Sequence, residues 1–351
     1  MAPTKLRKGE TPSLKSAIRT LASSLGITKS RPKPRQKLKL SAAICSTFFM
    51  LVGWGYYKYY ARTAMTSRPY LQAATLASFF GLSLTTQASD MLLFDLSPQQ
   101  QPHSPVKVSD HKGYNNQPAF SHDSQYLLFS SNRSMEQMDI YRHKLGETGL
   151  TNLTNTPTEN EFSPQSPKAG VITYVVQEGV PHQSVWQKNL GEPRRRGINS
   201  MIPAGYYAQK TEVGTLIWAR YGYNLYFEPL GDAADERHFV QANVGRSLHV
   251  IPNSNQFSFV RKQVDGTWVI KAFDPAEKTM KSLIAINPIS EDYTWHPNGS
   301  IFAGRGSELV RWQPGEKDWS VVADLAPFGV NNIGRLAISP DGKHLALVDK
   351  N

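Results

Sequence analysis

The sequence has a single cysteine, Cys45. An internal disulfide framework and any cysteine-based zinc site are therefore excluded. The nine histidines include no His-Glu-x-x-His or His-x-His spacing, so no metal-ligand pattern is visible. Gly-x-Ser-x-Gly, the nucleophile elbow of α/β-hydrolases, is absent, and "GRGSE" (304–308) only echoes it. Acidic residues are scarce at the start of the chain, where 14 Lys/Arg in the first 68 positions face Glu10 alone. Beyond residue 68 there are 25 Lys/Arg and 27 Asp/Glu. The overall charge of +11 thus belongs to the leader, and the body lacks the basic surface that nucleic-acid binding demands.

Long apolar runs are scarce as well. An uncharged stretch in the leader, "SAAICSTFFMLVGWGYY" (41–57), has 17 residues, the short limit for a membrane span. It follows a basic segment (1–40), expected to lack fixed structure, and suggests a transmembrane helix over 41–61 with a cytoplasmic N-terminus. A second apolar stretch after Met65 runs through 65–88 and ends in small residues, as in a secretory signal cleaved after Ala88. Two arrangements stay open. Either Met65 is the start and the body is secreted, or the long chain is anchored in the inner membrane through 41–61. Both place the body in the periplasm. A hairpin of two spans, which would return it to the cytoplasm, is disfavoured because the second stretch is short and carries Ser and Thr.

What the sequence has in quantity is periodicity. Strand-turn elements with apolar anchors recur at Phe120, Phe162, Tyr206, Val250, Trp295 and Ile338, in steps of 42, 44, 44, 45 and 43 residues. Each anchor precedes a polar or Pro-containing turn and a second apolar stretch. A further element recurs in its own register: "DIYRHKL" (139–145), "SVWQKNL" (184–190), "NLYFEPL" (224–230), "TWVIKAF" (267–273) and, more weakly, "ELVRWQP" (308–314). The sixth copy is missing at the C-terminal end, where the chain stops after two strands. It stands at the other end as "DMLLFDL" (90–96), followed by "SPVKVSD" as a fourth strand. Units of this length with four strands each imply a β-propeller. The expected fold is all-β: six blades closed into a ring by an N-terminal strand over 89–351, preceded by a helical or disordered basic leader.

"QPAFSHDSQYLLFSSNRSMEQMDIYRHKL" followed by "LTNLT", and "LAISPDGKHLALV", resemble the propeller repeats of the TolB-like family. That family's pattern joins an aromatic-Ser-Pro-Asp-Gly turn, an apolar strand, Ser-Asn-Arg, Asp-Ile-Tyr and a Leu-Thr ending. His122-Asp123-Ser124 replaces Pro-Asp-Gly in the first unit, and the last unit has the turn intact. The resemblance covers about residues 90–351, with no counterpart of TolB's separate N-terminal domain. It implies a monomeric propeller that binds an envelope protein or peptide, with no cofactor.

The residues just before each inner strand are candidates for an axial funnel. By offset from the anchors these are Asn116, Gln117, Glu159, Arg246, Asp292 and Arg335, with Glu161 and Glu291 beside them. A mixed-charge mouth of this kind suits a peptide or a small polar ligand. "PRRRG" (193–197) reads as a solvated loop, and Asp265-Gly266 as a hairpin turn. The leading functional reading is a protein- or peptide-binding scaffold. The rivals are a polysaccharide lyase or hydrolase built on a propeller, and a membrane-anchored sensor. No nucleophile, base and oxyanion donor can be assembled from motifs to favour an enzyme.

Overall fold

The computed structural model describes residues 89–350, apart from 110, 134–136, 180–181, 190, 232–236 and 287–289. The expected anchor and signal segments lie outside the described residues. Strands β1 (Ser89–Leu96) and β2 (Pro102–Lys107) come first. Blade 1 follows as β3 (Asn115–Phe120), β4 (Tyr126–Ser131), β5 (Asp139–Lys144) and β6 (Thr151–Asn152). Blade 2 is β7 (Asn160–Lys168), β8 (Val171–Gln177), β9 (Gln183–Asn189) and β10 (Arg195–Arg196). Blade 3 is β11 (Ala204–Lys210), β12 (Gly214–Ala219), β13 (Leu225–Pro229) and β14 (His238–Gln241). Blade 4 is β15 (Val244–Val250), β16 (Phe257–Lys262), β17 (Trp268–Asp274) and β18 (Thr279–Ile286). Blade 5 is β19 (Tyr293–Trp295), β20 (Ile301–Arg305), β21 (Glu308–Trp312) and β22 (Ser320–Asp324). The chain ends with β23 (Ile333–Ile338) and β24 (His344–Lys350).

These strands form six four-stranded sheets, the sixth in the order β2-β1-β24-β23. Strand β1 pairs with β24 from Ser89↔Lys350 to Asp95↔His344. The two ends of the chain therefore share blade 6, and the inner strands β3, β7, β11, β15, β19 and β23 neighbour one another in a closed ring. Closure by pairing removes the free edge that an open sheet would present. The recurring second element of the sequence is the third strand of every blade, β1 included.

Each sheet packs on its neighbours through both faces, so the central strands are nearly continuous apolar runs. Phe94 and Leu347 of blade 6 meet Phe302 and Leu309 of blade 5 in one cluster. Leu216 and Phe227 of blade 3 meet Phe257 and Phe273 of blade 4 in another. The hairpin turns are held by the motif that marks the repeat. Ser121 Oγ donates to Asp123 Oδ1 at 2.6 Å and accepts from Gln125 N and Tyr126 N. Ser339 Oγ does the same with Asp341 Oδ1 at 2.5 Å and with Lys343 N and His344 N.

Two expectations need correction. Phe120, Val250, Trp295 and Ile338 are the last residues of their inner strands, but Phe162 and Tyr206 are each the third residue of theirs. The inner strands of blades 2 and 3 continue past the anchor by several residues, so the even spacing hides a shift in register. The charge run 193–197 is solvated at Pro193, Arg195 and Arg196, as expected, but it is not all loop. Arg195–Arg196 forms β10, and the Arg194 guanidinium packs 4.5 Å from the Trp186 ring centre while pairing with Glu159 at 2.5 Å. A planar cation on an indole face gains attraction that a hydrated loop position lacks.

Candidate functional site: the mouth of the axial channel

Five of the six inner strands are interrupted by a register shift on the same side of the ring. The breaks fall between Asn116 and Ala119, Phe162 and Gln165, Ala204 and Tyr206, Val244 and Leu248, and Ile333 and Leu336. The sixth, β19, begins only at Tyr293. Bulges of this sort release a residue from the ladder and re-aim its side chain. Gln117 and Ser163 adopt positive φ, 60° and 53°, at matching places in blades 1 and 2.

Residues at or beside these breaks, with Asp292 just before β19, surround an axial cavity of about 240 Å³. Gln117, Ser163, Tyr206, Arg246, Asp292 and Arg335 line it, one from each blade. Of the residues singled out from sequence, Gln117, Arg246, Asp292 and Arg335 are brought together here. Glu159 and Asn116 are not among the lining residues. Glu159 is taken up by Arg194, and Asn116 Oδ1 accepts from Gln117 N at 2.8 Å. Gln117 itself is largely spent on the fold: its Oε1 accepts from Ser130 Oγ at 2.9 Å and from Ser163 N at 2.8 Å, tying blade 1 to blade 2.

Charge at the mouth centres on Asp292, which is buried. Arg246 Nη2 donates to Asp292 Oδ2 at 2.8 Å, and its Nε lies 3.3 Å from Glu291 Oε1. Glu291 Oε2 is 2.7 Å from Lys262 Nζ. Arg335 Nε stands 3.9 Å from Asp292 Oδ1, beyond hydrogen-bond distance. Its guanidinium instead lies over the Tyr206 ring, 4.8 Å from the centre. Blades 3 and 6 are three places apart in a ring of six, so this stack spans the axis.

Burial would raise the Asp292 carboxyl, but Arg335 and Arg246 outweigh it and hold the pKa below the ordinary value. Burial pushes the Tyr114 hydroxyl up to about 12 and the Lys350 ammonium down. Deeper in the channel, His249 Nε2 is 3.1 Å from Ser247 Oγ, and the ring rests 4.7 Å from that of Tyr293. Burial pulls His249 down to about 4. A base so weak does little to activate a serine at neutral pH. Among the described residues no three His, Cys, Asp or Glu side chains converge as metal ligands.

Sequence reasoning did not single out Ser163 or His249, and took Tyr206 only as an apolar anchor. The one signal available was the Ser-Pro pair at 163–164, beside the Gln-Pro pair at 117–118. Proline cannot donate to a ladder and so marks strand irregularities.

No family profile matches the chain, and no curated protein sequence does. Solved structures match in fold. A TolB structure from Agrobacterium tumefaciens aligns with a TM-score of 0.57 at 12% identity, covering 76% of this chain and 99% of that one. TolB from Acinetobacter baumannii aligns at 0.49 and 12% identity, covering 76% of this chain and 65% of that chain. An oligogalacturonate lyase from Vibrio parahaemolyticus aligns at 0.45 and 11% identity, covering 74% and 97%. The chain has the TolB-like six-bladed propeller fold. Among the described residues no helix is long and apolar enough to cross a membrane.

Proposed function

We propose that this propeller is a binding scaffold of the cell envelope, and that the channel mouth holds a segment of a partner protein. The observation that supports this reading is the convergence of one polar or aromatic side chain from each blade on a single cavity, with Arg335 left able to donate. Rigid blades fix the geometry, and the bulged segments carry the recognition. The near-neutral charge of the body argues for a protein partner over nucleic acid. The envelope assignment is supported by the basic and apolar leader. Protein N-terminal sequencing of the native product separates a secreted form beginning after Ala88 from one anchored through 41–61.

Arg335→Ala is the test of the mouth, because Arg335 makes no close ion pair within the fold. The variant should fold to the same propeller with a modest loss of thermal stability, since Arg335 also lies near Asp292 and over Tyr206, and lose at least tenfold in affinity for a partner captured from the envelope. Capture indifferent to the substitution would remove the mouth from the binding surface.

A further inference from the structure

We infer that the mouth reads the free C-terminus of a partner chain, with Arg335 taking the carboxylate and an aromatic row over blade 3 taking the residues that precede it. This deepens the binding reading above and rests on it.

Arg335 is the group with capacity to spare. Asp292 is its carboxylate neighbour among the described residues, at 3.9 Å, and that carboxylate is already engaged by Arg246. A guanidinium resting over the Tyr206 ring keeps an N–H fork of the kind that binds a carboxylate in two parallel hydrogen bonds. The same cavity contains Ser163, whose buried hydroxyl has no hydrogen-bond partner. A buried hydroxyl without a partner carries an energetic cost that an incoming acceptor relieves.

The row begins at the same arginine. Tyr206 meets Trp218 edge-on at 5.4 Å, and Trp218 meets Tyr223 edge-on at 5.2 Å. Trp218 is buried and fixed by its Nε1, which donates to Val244 O at 3.1 Å. Gly205 leaves room for that indole: a Cβ there would stand 2.6 Å from its ring atoms. Tyr223 sits in the β12–β13 turn at φ 52° and is 60% exposed, with Tyr221 beside it at 54%. That turn lies at the Ala204 end of blade 3, because Ala204 pairs with Ala219. Rings thus run from the channel axis to the open rim, and a tyrosine held in a sparsely populated conformation at the rim is placed at a cost. Exposed tyrosines backed by a buried tryptophan are the side chains that anchor protein interfaces.

The row leaves the axis in one direction. A segment passing across the mouth would need a second track on the far side, whereas a chain end needs one. The cavity, about 240 Å³, is smaller than the roughly 300–1,000 Å³ of ordinary small-molecule pockets and suits a terminal residue. The occupant that fits is a C-terminus ending in a free carboxylate, with apolar or aromatic side chains in its last few positions.

The experiment uses N-acetylated random hexapeptide pools with free carboxylate ends, matched pools with amidated ends, and amidated peptides with one internal Asp or Glu. Binding to the full propeller is read by fluorescence anisotropy. Free-acid peptides with apolar or aromatic final residues should bind, and amidation should weaken them at least tenfold. Arg335→Gln should cost the same factor and abolish the difference between acid and amide. Arg335→Lys should restore less than a tenth of the affinity, because the charge returns without the fork. Tyr223→Ala, on an exposed turn, should cost roughly threefold to tenfold. Equal binding of acid and amide pools, equal binding of the internal acids, or no binding by any pool would each overturn the inference. A partner whose capture depends on Arg335 but survives blocking of its C-terminus would overturn it while leaving the binding scaffold intact. Capture indifferent to Arg335 would remove both.

Discussion

His344 Nδ1 and Asp95 Oδ1 lie 2.9 Å apart although 249 residues of chain separate them. The contact sits at the far end of the β1–β24 ladder, where Leu96 N also donates to Lys343 O at 2.7 Å. The ring is closed by this seam and by the apolar residues that β1 contributes behind it. Met91 and Phe94 are fully buried there.

Deleting residues 89–97 should therefore do more than shorten the chain. It removes the strand between β24 and β2 and leaves β24 as a free edge, a template for pairing with other chains. The truncated protein should aggregate in size-exclusion chromatography and melt well below the parent. Phe94→Ala, which leaves the ladder in place, should cost about 3–5 kcal/mol through the cavity it creates. A truncated chain that stays monomeric with unchanged melting would contradict closure.

That seam was legible in the sequence because a third-strand pattern at 90–96 had no first half, and a first half at 335–350 had no third strand. The mouth was legible only in part, for a physical reason. An offset from an anchor locates a funnel residue only if the anchor ends its strand. Val250, Trp295 and Ile338 do, and offsets of four, three and three residues lead to Arg246, Asp292 and Arg335. Phe162 lies inside a nine-residue strand, so the offset lands on Glu159, outside the lining, while the bulge delivers Ser163. Bulges depend on how two strands pair, and one strand's residue pattern does not record that. Tyr206 failed for another reason: its role depends on Arg335 reaching across from the opposite blade.

The first-unit turn carries a local conflict that can be relieved. Ser124 has φ 59° where the last unit has Gly342 at 73°. A non-glycine residue in that region costs about 1–3 kcal/mol, and its hydroxyl returns only an exposed hydrogen bond, from Asp341 N at 3.0 Å. Ser124→Gly should raise stability by about 0.5–1 kcal/mol, measured as a higher denaturant midpoint at unchanged slope. A lower midpoint would mean that the tie between blades 1 and 6 outweighs the strain.

Glu161 should make stability fall with rising pH. Burial pushes its carboxyl up to about 7 from an ordinary 4.5, although Thr156 Oγ1 donates to it at 2.5 Å and Arg194 lies 3.7 Å away. The folded protein holds this proton where the unfolded chain has released it. The contribution is complete below about pH 4.5 and is lost as pH rises through 7. Glu161→Gln should match the parent at pH 4.5 and exceed it by about 1–3 kcal/mol at pH 8. Equal stability of the two at both pH values would show that Arg194 compensates the charge in full.

Asp292 should respond in the opposite sense. Its pKa is held below the ordinary 3.8 by Arg335 and Arg246 against the effect of burial. The unfolded chain therefore takes up this proton first, and the stabilisation is complete above pH 3.8 and lost as pH falls below it. The substitution matters more than a rim charge would, because the side chain is buried between two guanidinium groups that would otherwise repel each other. Asp292→Ala should cost about 1–3 kcal/mol at pH 7, less than the full penalty for breaking a buried pair, because Arg246 keeps Glu291 at 3.3 Å. Asp292→Asn keeps a hydrogen-bond acceptor for Arg246 and should lose less. Both deficits should shrink as pH is lowered through the acid limb, because the parent carboxylate is itself being neutralised there. A deficit for Asp292→Ala that is the same at pH 7 and on the acid limb would mean that the side chain acts by packing alone. The ion pair to Arg246 would then contribute nothing to the mouth's rigidity.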